Sequence, residues 1–196
     1  DTFFYDGSEG EKELGEKFRI NTFKIGERFT SIKKVDLQKC SIIDINDFLL
    51  NHNLSYIKSL TLKDTNVTSL DLKHFRLSKL ILINNEIESI DFTHTSLTII
   101  ISNENKLKNI KLDLKKNSSC TISNLDTCEI EIYNLKNLII KDLNKCNINL
   151  KEESYQSLSI ENVYDNNFLF NPFMGNIGSI EFKNVNFISF DFDFLK

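Results

Sequence analysis

Four cysteines and three histidines are the residues of this 196-residue chain best suited to hold a metal or attack a substrate. Cys40, Cys120, Cys128 and Cys146 form no Cys-x-x-Cys pair, and no histidine stands at zinc-finger spacing from them, so a structural zinc site is not expected. The cysteines are also far too sparse for a disulfide scaffold. Local motifs that build active sites are absent too: there is no G-x-S-x-G, H-E-x-x-H or G-x-G-x-x-G, and no phosphate loop, with six glycines in the whole chain. A protein without catalytic residues, metal or cofactor is expected.

Composition narrows the elements that could position any remaining chemistry. Alanine and tryptophan are absent, while Ile reaches 25, Asn 24 and Phe 16. Removing the best helix former and keeping β-branched and turn-prone residues argues against an all-helical fold. The bias of Lys over Arg, 21 to 3, and of Ile, Asn and Phe over Ala, Gly and Pro also matches translation of an AT-rich genome. No apolar run is long enough for a membrane-spanning helix.

A repeat organises the chain. Leu77-Ser-Lys-Leu80-Ile-Leu82-Ile-Asn-Asn85-Glu-Ile87 fits L-x-x-L-x-L-x-x-N-x-L, and Ile32-Lys-Lys-Val35-Asp-Leu37-Gln-Lys-Cys40-Ser-Ile42 fits it with Cys for Asn. Counting from the first marked residue, coils begin at Ile32, Ile57, Leu77, Leu97, Asn117, Leu135, Tyr155 and Ile177, with 20 residues the commonest step. Positions 4 and 6 are almost uniformly apolar. Position 9 runs Cys40, Thr65, Asn85, Asn105 and then Leu125, Leu143, Val163, Val185, so it drifts from polar to aliphatic. Positions 14 and 16 add a second apolar pair, such as Ile90 and Phe92 or Ile110 and Leu112, which predicts a second extended segment in each coil.

From Ile32 to Phe192 this pattern resembles the leucine-rich repeat family. The resemblance implies a mainly β solenoid with a parallel concave sheet at positions 3 to 7, and an inward Asn or Cys at position 9 bonding the turn backbone. Asn85, Asn105, Cys40 and Thr65 match that role, while the aliphatic later coils depart from it. Coils of 20 residues leave no room for full helices, so the convex side is expected to be extended or 3-10. Asp44 to Asn51, extra residues of the longer first coil, are expected to form one or two helical turns. Residues 1–31 read as an N-terminal cap with Phe18 to Ile25 as strand material. Residues 32–196 read as one solenoid of about eight coils, closed by the phenylalanine-rich stretch from Phe187 to Phe194.

In this register positions 3, 5 and 7 face outward on the concave sheet. Ile81, Ile83, Ile99 and Ile101 then cluster on neighbouring rungs, with Ile139 farther on and Lys34, Lys63 and Lys79 at the rim. An aliphatic cluster in a polar frame has the composition of a protein-contact patch. The lysines alternate with Asp36 and Asp64, and no aromatic side chain is available to stack on bases, so nucleic-acid binding is not expected. His74 and His94 share position 18, and read as turn residues repeated by descent. Cys128 and Cys146 share position 12 of adjacent coils, where rung spacing permits a disulfide, although buried free thiols are the favoured reading.

The function expected is a non-enzymatic module, monomeric or weakly self-associating, that binds another protein through the concave sheet. The rival is a structural or coat protein packing through the convex ladder Asp71, Asp91, Lys111 and Glu131 or through the terminal coil. A start at Asp1 instead of Met leans toward a secreted or surface protein freed of its signal peptide. Three sequons, at Asn53, Asn66 and Asn117, add nothing, because the composition alone makes about four.

Overall fold

The structure is a computed structural model that describes residues 2–6, 32–42, 44–52, 54, 56–72, 75–93, 97–104, 106–114, 118–133, 135–151, 154–170 and 176–190. Its architecture is a parallel β-solenoid of coils about 20 residues long. The short strands β1 (Thr2–Asp6), β2 (Lys34–Gln38), β3 (Ser59–Lys63), β4 (Lys79–Ile83) and β6 (Thr98–Ser102) stack in parallel. The stack continues through β8 (Ser119–Asp126), β10 (Asn137–Asn144), β12 (Ser154–Phe170) and β13 (Asn176–Phe190) to complete a first sheet. The predicted second extended segments are strands too. Here β5 (Ser89–Thr93), β7 (Asn109–Asp113), β9 (Glu129–Tyr133) and β11 (Asn147–Leu150) form a second parallel sheet. Strand β12 turns the corner between the sheets, pairing with β10 along its first half and with β11 along its second.

Alternation explains the core. In β4 the order Lys79, Leu80, Ile81, Leu82, Ile83 runs exposed, buried, half-buried, buried, half-buried, and the same period of two recurs from strand to strand. One coil cannot cover its own apolar side, so Val35, Leu60, Leu80, Ile99, Cys120, Leu138 and Leu158 bury one another rung upon rung. The single described helix, α1 (Ile45–Asn51), occupies the longer first coil as expected. The Asp44 carboxylate caps it by accepting from the backbone N–H groups of Asn46 at 2.8 Å and Asp47 at 3.1 Å.

From β2 on, a left-handed corner follows the five-residue paired segment of each first-sheet strand, directly after β2, β3, β4 and β6 and inside β8, β10, β12 and β13. Lys39, Asp64, Asn84, Asn103, Asn124, Asp142, Asn162 and Asn184 all have φ between 48° and 55°. Asn and Asp tolerate this region because their short polar side chains compensate for the steric cost, which explains why the column is almost entirely Asx. The corner N–H groups stay in the ladder: Asp64 donates to the Ile83 carbonyl and Asn84 to that of Ser102, at 2.9 and 3.1 Å. Side chains repeat the stacking, with Asn84 donating to Asp64 at 2.7 Å and Asn162 to Asp142 at 2.8 Å.

Those corners correct the expected register of one coil. Asn84 to Asn103 is a step of 19 and Asn103 to Asn124 one of 21, so in the coil placed at Leu97 the strand begins one residue earlier than expected, at Thr98. Thr98 pairs with Lys79 and Ser119, and Ile99 and Ile101 point inward with no exposure at all. Ile99-Ile100-Ile101 is apolar in either phase, so periodicity alone could not fix it, and a slip of one residue exchanges the faces. The inward place beside Asn85 therefore belongs to Glu104. Asn105, together with His74, His94, Phe18 to Ile25, Asn53, Asn117, Phe192 and Phe194, lies outside the described residues.

Candidate functional site

On the outer side of the first sheet, β4 and β6 place Ile81 and Ile100 directly beside each other. Thr121 and then Ile139 follow in the same column on the next two rungs, and Ile83 stands one alternate position along β4. All four isoleucines are half-buried. Ile99 and Ile101, expected in this patch, belong to the core, and Ile100 takes their place. Its signal was Asn103, whose Asx corner fixes the phase of the strand before it.

Lysines stand on the strands of the same sheet. Lys63 is in register with Ile83, and Lys79 with Ser59 on one side and Thr98 on the other. Lys34, itself exposed, reaches the half-buried Asp36 carboxylate at 3.7 Å. Elsewhere on the face polar side chains bond one another. Ser123 donates to Ser102 at 3.0 Å and Ser157 to Asn137 at 2.8 Å, while Thr98 and Ser119 lie 3.3 Å apart. Glu161 sits between Lys183 at 2.7 Å and Lys141 at 3.2 Å, and these hydrogen bonds hold its carboxyl below the usual range. Against this polar frame the isoleucine column presents apolar surface.

Behind the patch lies a buried polar ladder. The Thr65 hydroxyl donates to Asn85 Oδ1 at 2.6 Å, and Asn85 donates from its backbone N–H to Glu104 Oε2 at 3.0 Å and from Nδ2 to Oε1 at 2.8 Å. Asn85 Nδ2 also donates to the Leu62 carbonyl at 3.2 Å, the turn-bonding role expected of position 9. Burial pushes the Glu104 carboxyl up to about 7 despite these two donors. The later coils solve the same problem one corner farther on. Thr127, Lys145 and Asp165 are left-handed, and the fully buried Asn166 accepts from the Cys146 N–H at 2.6 Å and donates to the Leu143 carbonyl at 3.1 Å.

Cys128 and Cys146 share a column, as the spacing indicated, but both are free thiols, as are Cys40 and Cys120. Cys146 Sγ donates to the Asn144 carbonyl at 3.4 Å, and Cys128 Sγ to that of Glu129 at 3.7 Å. Desolvation pushes the Cys128 thiol up to about 12 and raises Cys120 and Cys146 as well, so these sulfurs are packing groups, not nucleophiles. Among the described residues no three His, Cys, Asp or Glu side chains converge as a metal site, and no helix is long and apolar enough to cross a membrane.

The second sheet carries a shallow groove of about 300 Å³ lined by Glu129, Glu131, Asn147, Asn149, Asn167 and Leu169. Its walls are tied together, Asn167 to Asn147 at 2.7 Å and Lys151 to Glu131 at 2.8 Å. The ladder Asp91, Lys111, Glu131 is in register here, with Asp71 preceding it outside any strand. Compared with known proteins, the chain matches no family model, no curated protein and no solved structure.

Proposed function

We propose that this chain is a non-enzymatic protein-interaction module whose coils are short leucine-rich repeats, and that its partner docks on the outer face of the first sheet. One observation carries this reading: Ile81, Ile100 and Ile139 share a column, Ile83 flanks it, and Lys34, Lys63 and Lys79 rim it on an otherwise polar face. Desolvating such aliphatic groups favours association, while the lysines steer and orient an acidic partner. The L-x-x-L-x-L-x-x-N run from Leu77 to Asn85 and the buried amide of Asn85 support the repeat assignment.

Affinity capture with the wild type and with Ile81→Asp, Ile100→Asp tests it. A protein retained by the wild type, identified and remade pure, binds the double variant at least about a hundredfold more weakly, while both proteins melt alike. Equal binding by the two overturns the assignment of the face.

A further inference from the structure

Where the chain enters the first sheet, the early coils present a corner to solvent. The Leu49 carbonyl near the end of α1 accepts from the Leu54 N–H at 2.8 Å, and the Leu54 carbonyl from that of Ile57 at 3.2 Å, so a tight turn carries the helix into the next coil. Two large side chains of this turn face outward although the core lies beside them: Leu50 is 44% exposed and Tyr56 75%. Cations flank Tyr56. Lys58 follows it and donates its N–H to the Lys33 carbonyl at 2.7 Å, which sets Lys33 one rung away. Arg76 stands one rung on from Tyr56 by the same step of 20 that pairs Ser59 with Lys79. Lys33, Lys58 and Arg76 are all exposed, as are Lys34 and Lys79 at the adjoining strand starts. Asp36 offsets Lys34, whereas Asp44, Asp47 and Asp71 gather at the N-terminal end of α1, where the Asp71 N–H donates to Asn46 Oδ1 at 3.0 Å. In a chain of net charge -4 this corner is a local concentration of positive charge around exposed apolar groups.

We infer that this corner docks on the surface of a bilayer that carries anionic lipid. Each Lys or Arg near such a surface adds to the attraction, its stem lying along the interface while its head reaches phosphate. A tyrosine ring settles at headgroup level with its hydroxyl in water, and a leucine beside it enters the acyl boundary. Those two side chains separate a bilayer from a soluble polyanion, which calls for the cations alone. Tyr56 by itself is one stacking platform and not the row of them that a single-stranded nucleic acid uses. The contact is peripheral, since no described helix is long and apolar enough to cross a membrane. It rests on Leu50, Tyr56, Lys33, Lys58 and Arg76, none of which belongs to the docking face proposed above, and so stands independently of it.

Cosedimentation of the full chain with vesicles of phosphatidylcholine, pure or carrying about 30% phosphatidylserine, tests the contact. The wild type partitions onto the anionic vesicles and not onto the neutral ones, and does so less as salt rises. Lys33→Gln with Arg76→Gln weakens that partition roughly thirtyfold, at about fivefold per charge. Leu50→Ser with Tyr56→Ser weakens it at least about tenfold, yet leaves retention on heparin, a soluble polyanion, unchanged. The chain has no tryptophan, so Tyr56→Trp reports its own surroundings, and its emission shifts to the blue on anionic vesicles. Circular dichroism checks each fold, and should one pair of substitutions fail to fold, the other pair and Tyr56→Trp carry the comparison. No partition onto anionic vesicles overturns the proposal, and so does equal partition onto neutral ones. Vesicle binding indifferent to Leu50→Ser with Tyr56→Ser also overturns it, and assigns the corner to a soluble polyanion.

Discussion

Glu104 makes the stability of this solenoid depend on pH in a direction opposite to that of most acidic residues. A free carboxyl titrates near 4.5, whereas burial beside Asn85 and Thr65 moves this one to about 7. The native chain therefore binds the proton more tightly than the unfolded chain. Its contribution to stability is complete below pH 4.5, is lost as pH rises toward 7, and is level above that. At about 1.4 kcal/mol per pH unit, the span between the two values corresponds to about 3 kcal/mol. For a domain of this size that is a fall in Tm of about 6–12 °C between pH 5 and pH 8. Glu104→Gln removes the titration. The amide turns one donor toward an Asn85 donor, so the variant is less stable overall, and the informative quantity is the slope. Urea and thermal melts across this range should show the wild-type decline flattened in the variant. Parallel curves for the two proteins would refute the assignment of Glu104 to the core.

Three further outcomes follow from the register and packing. Ile101→Asp buries an unpaired carboxylate and should unfold the chain, or cost more than about 4 kcal/mol, whereas Ile100→Asp on the same strand should move Tm by less than about 3 °C; the reverse order in thermal melts would restore the alternative phase. At residue 178 an added Cβ would stand 2.6 Å from the Gln156 carbonyl oxygen, so Gly178→Ala should loosen β13 from β12. Faster amide exchange confined to those strands, with a loss of about 1–3 kcal/mol, is the expected reading. Alkylation at pH 8 without reductant should leave Cys120, Cys128 and Cys146 unmodified in the native protein and label all four cysteines after denaturation. A mass two hydrogen atoms lighter in the denatured, unreduced protein, with Cys128 and Cys146 left unlabelled, would instead report a disulfide between them.

The inward columns were legible because Leu, Ile and Phe recur where codon bias has no means of placing them. Pairs such as Ile90 with Phe92 and Ile110 with Leu112 mark the second sheet in the sequence itself. Two things were not legible from apolar spacing. A run of three isoleucines carries no phase, and only the left-handed Asn103 behind it, read with Asn84 and Asn124, resolves the face each one takes. Strand β1 was hidden for another reason. Its partner Lys34–Gln38 lies beyond residues 7–31, a separation with no counterpart in the 20-residue period. The 20-residue period puts position 9 of this coil on Asn105, one residue past the inward Glu104.

Parallel strands lying across the stack, with β1 and β13 as the terminal rungs among the described residues, also define how the molecule bears tension. A pull on the first and last strands along the stacking direction loads the inter-rung hydrogen bonds one coil at a time, as in a zipper, instead of shearing many together. Each coil that peels away frees about 20 residues, or about 70 Å of contour length, while the remaining rungs keep their neighbours. The solenoid is thus built to lengthen in steps under modest force, with every intermediate still folded from its surviving end.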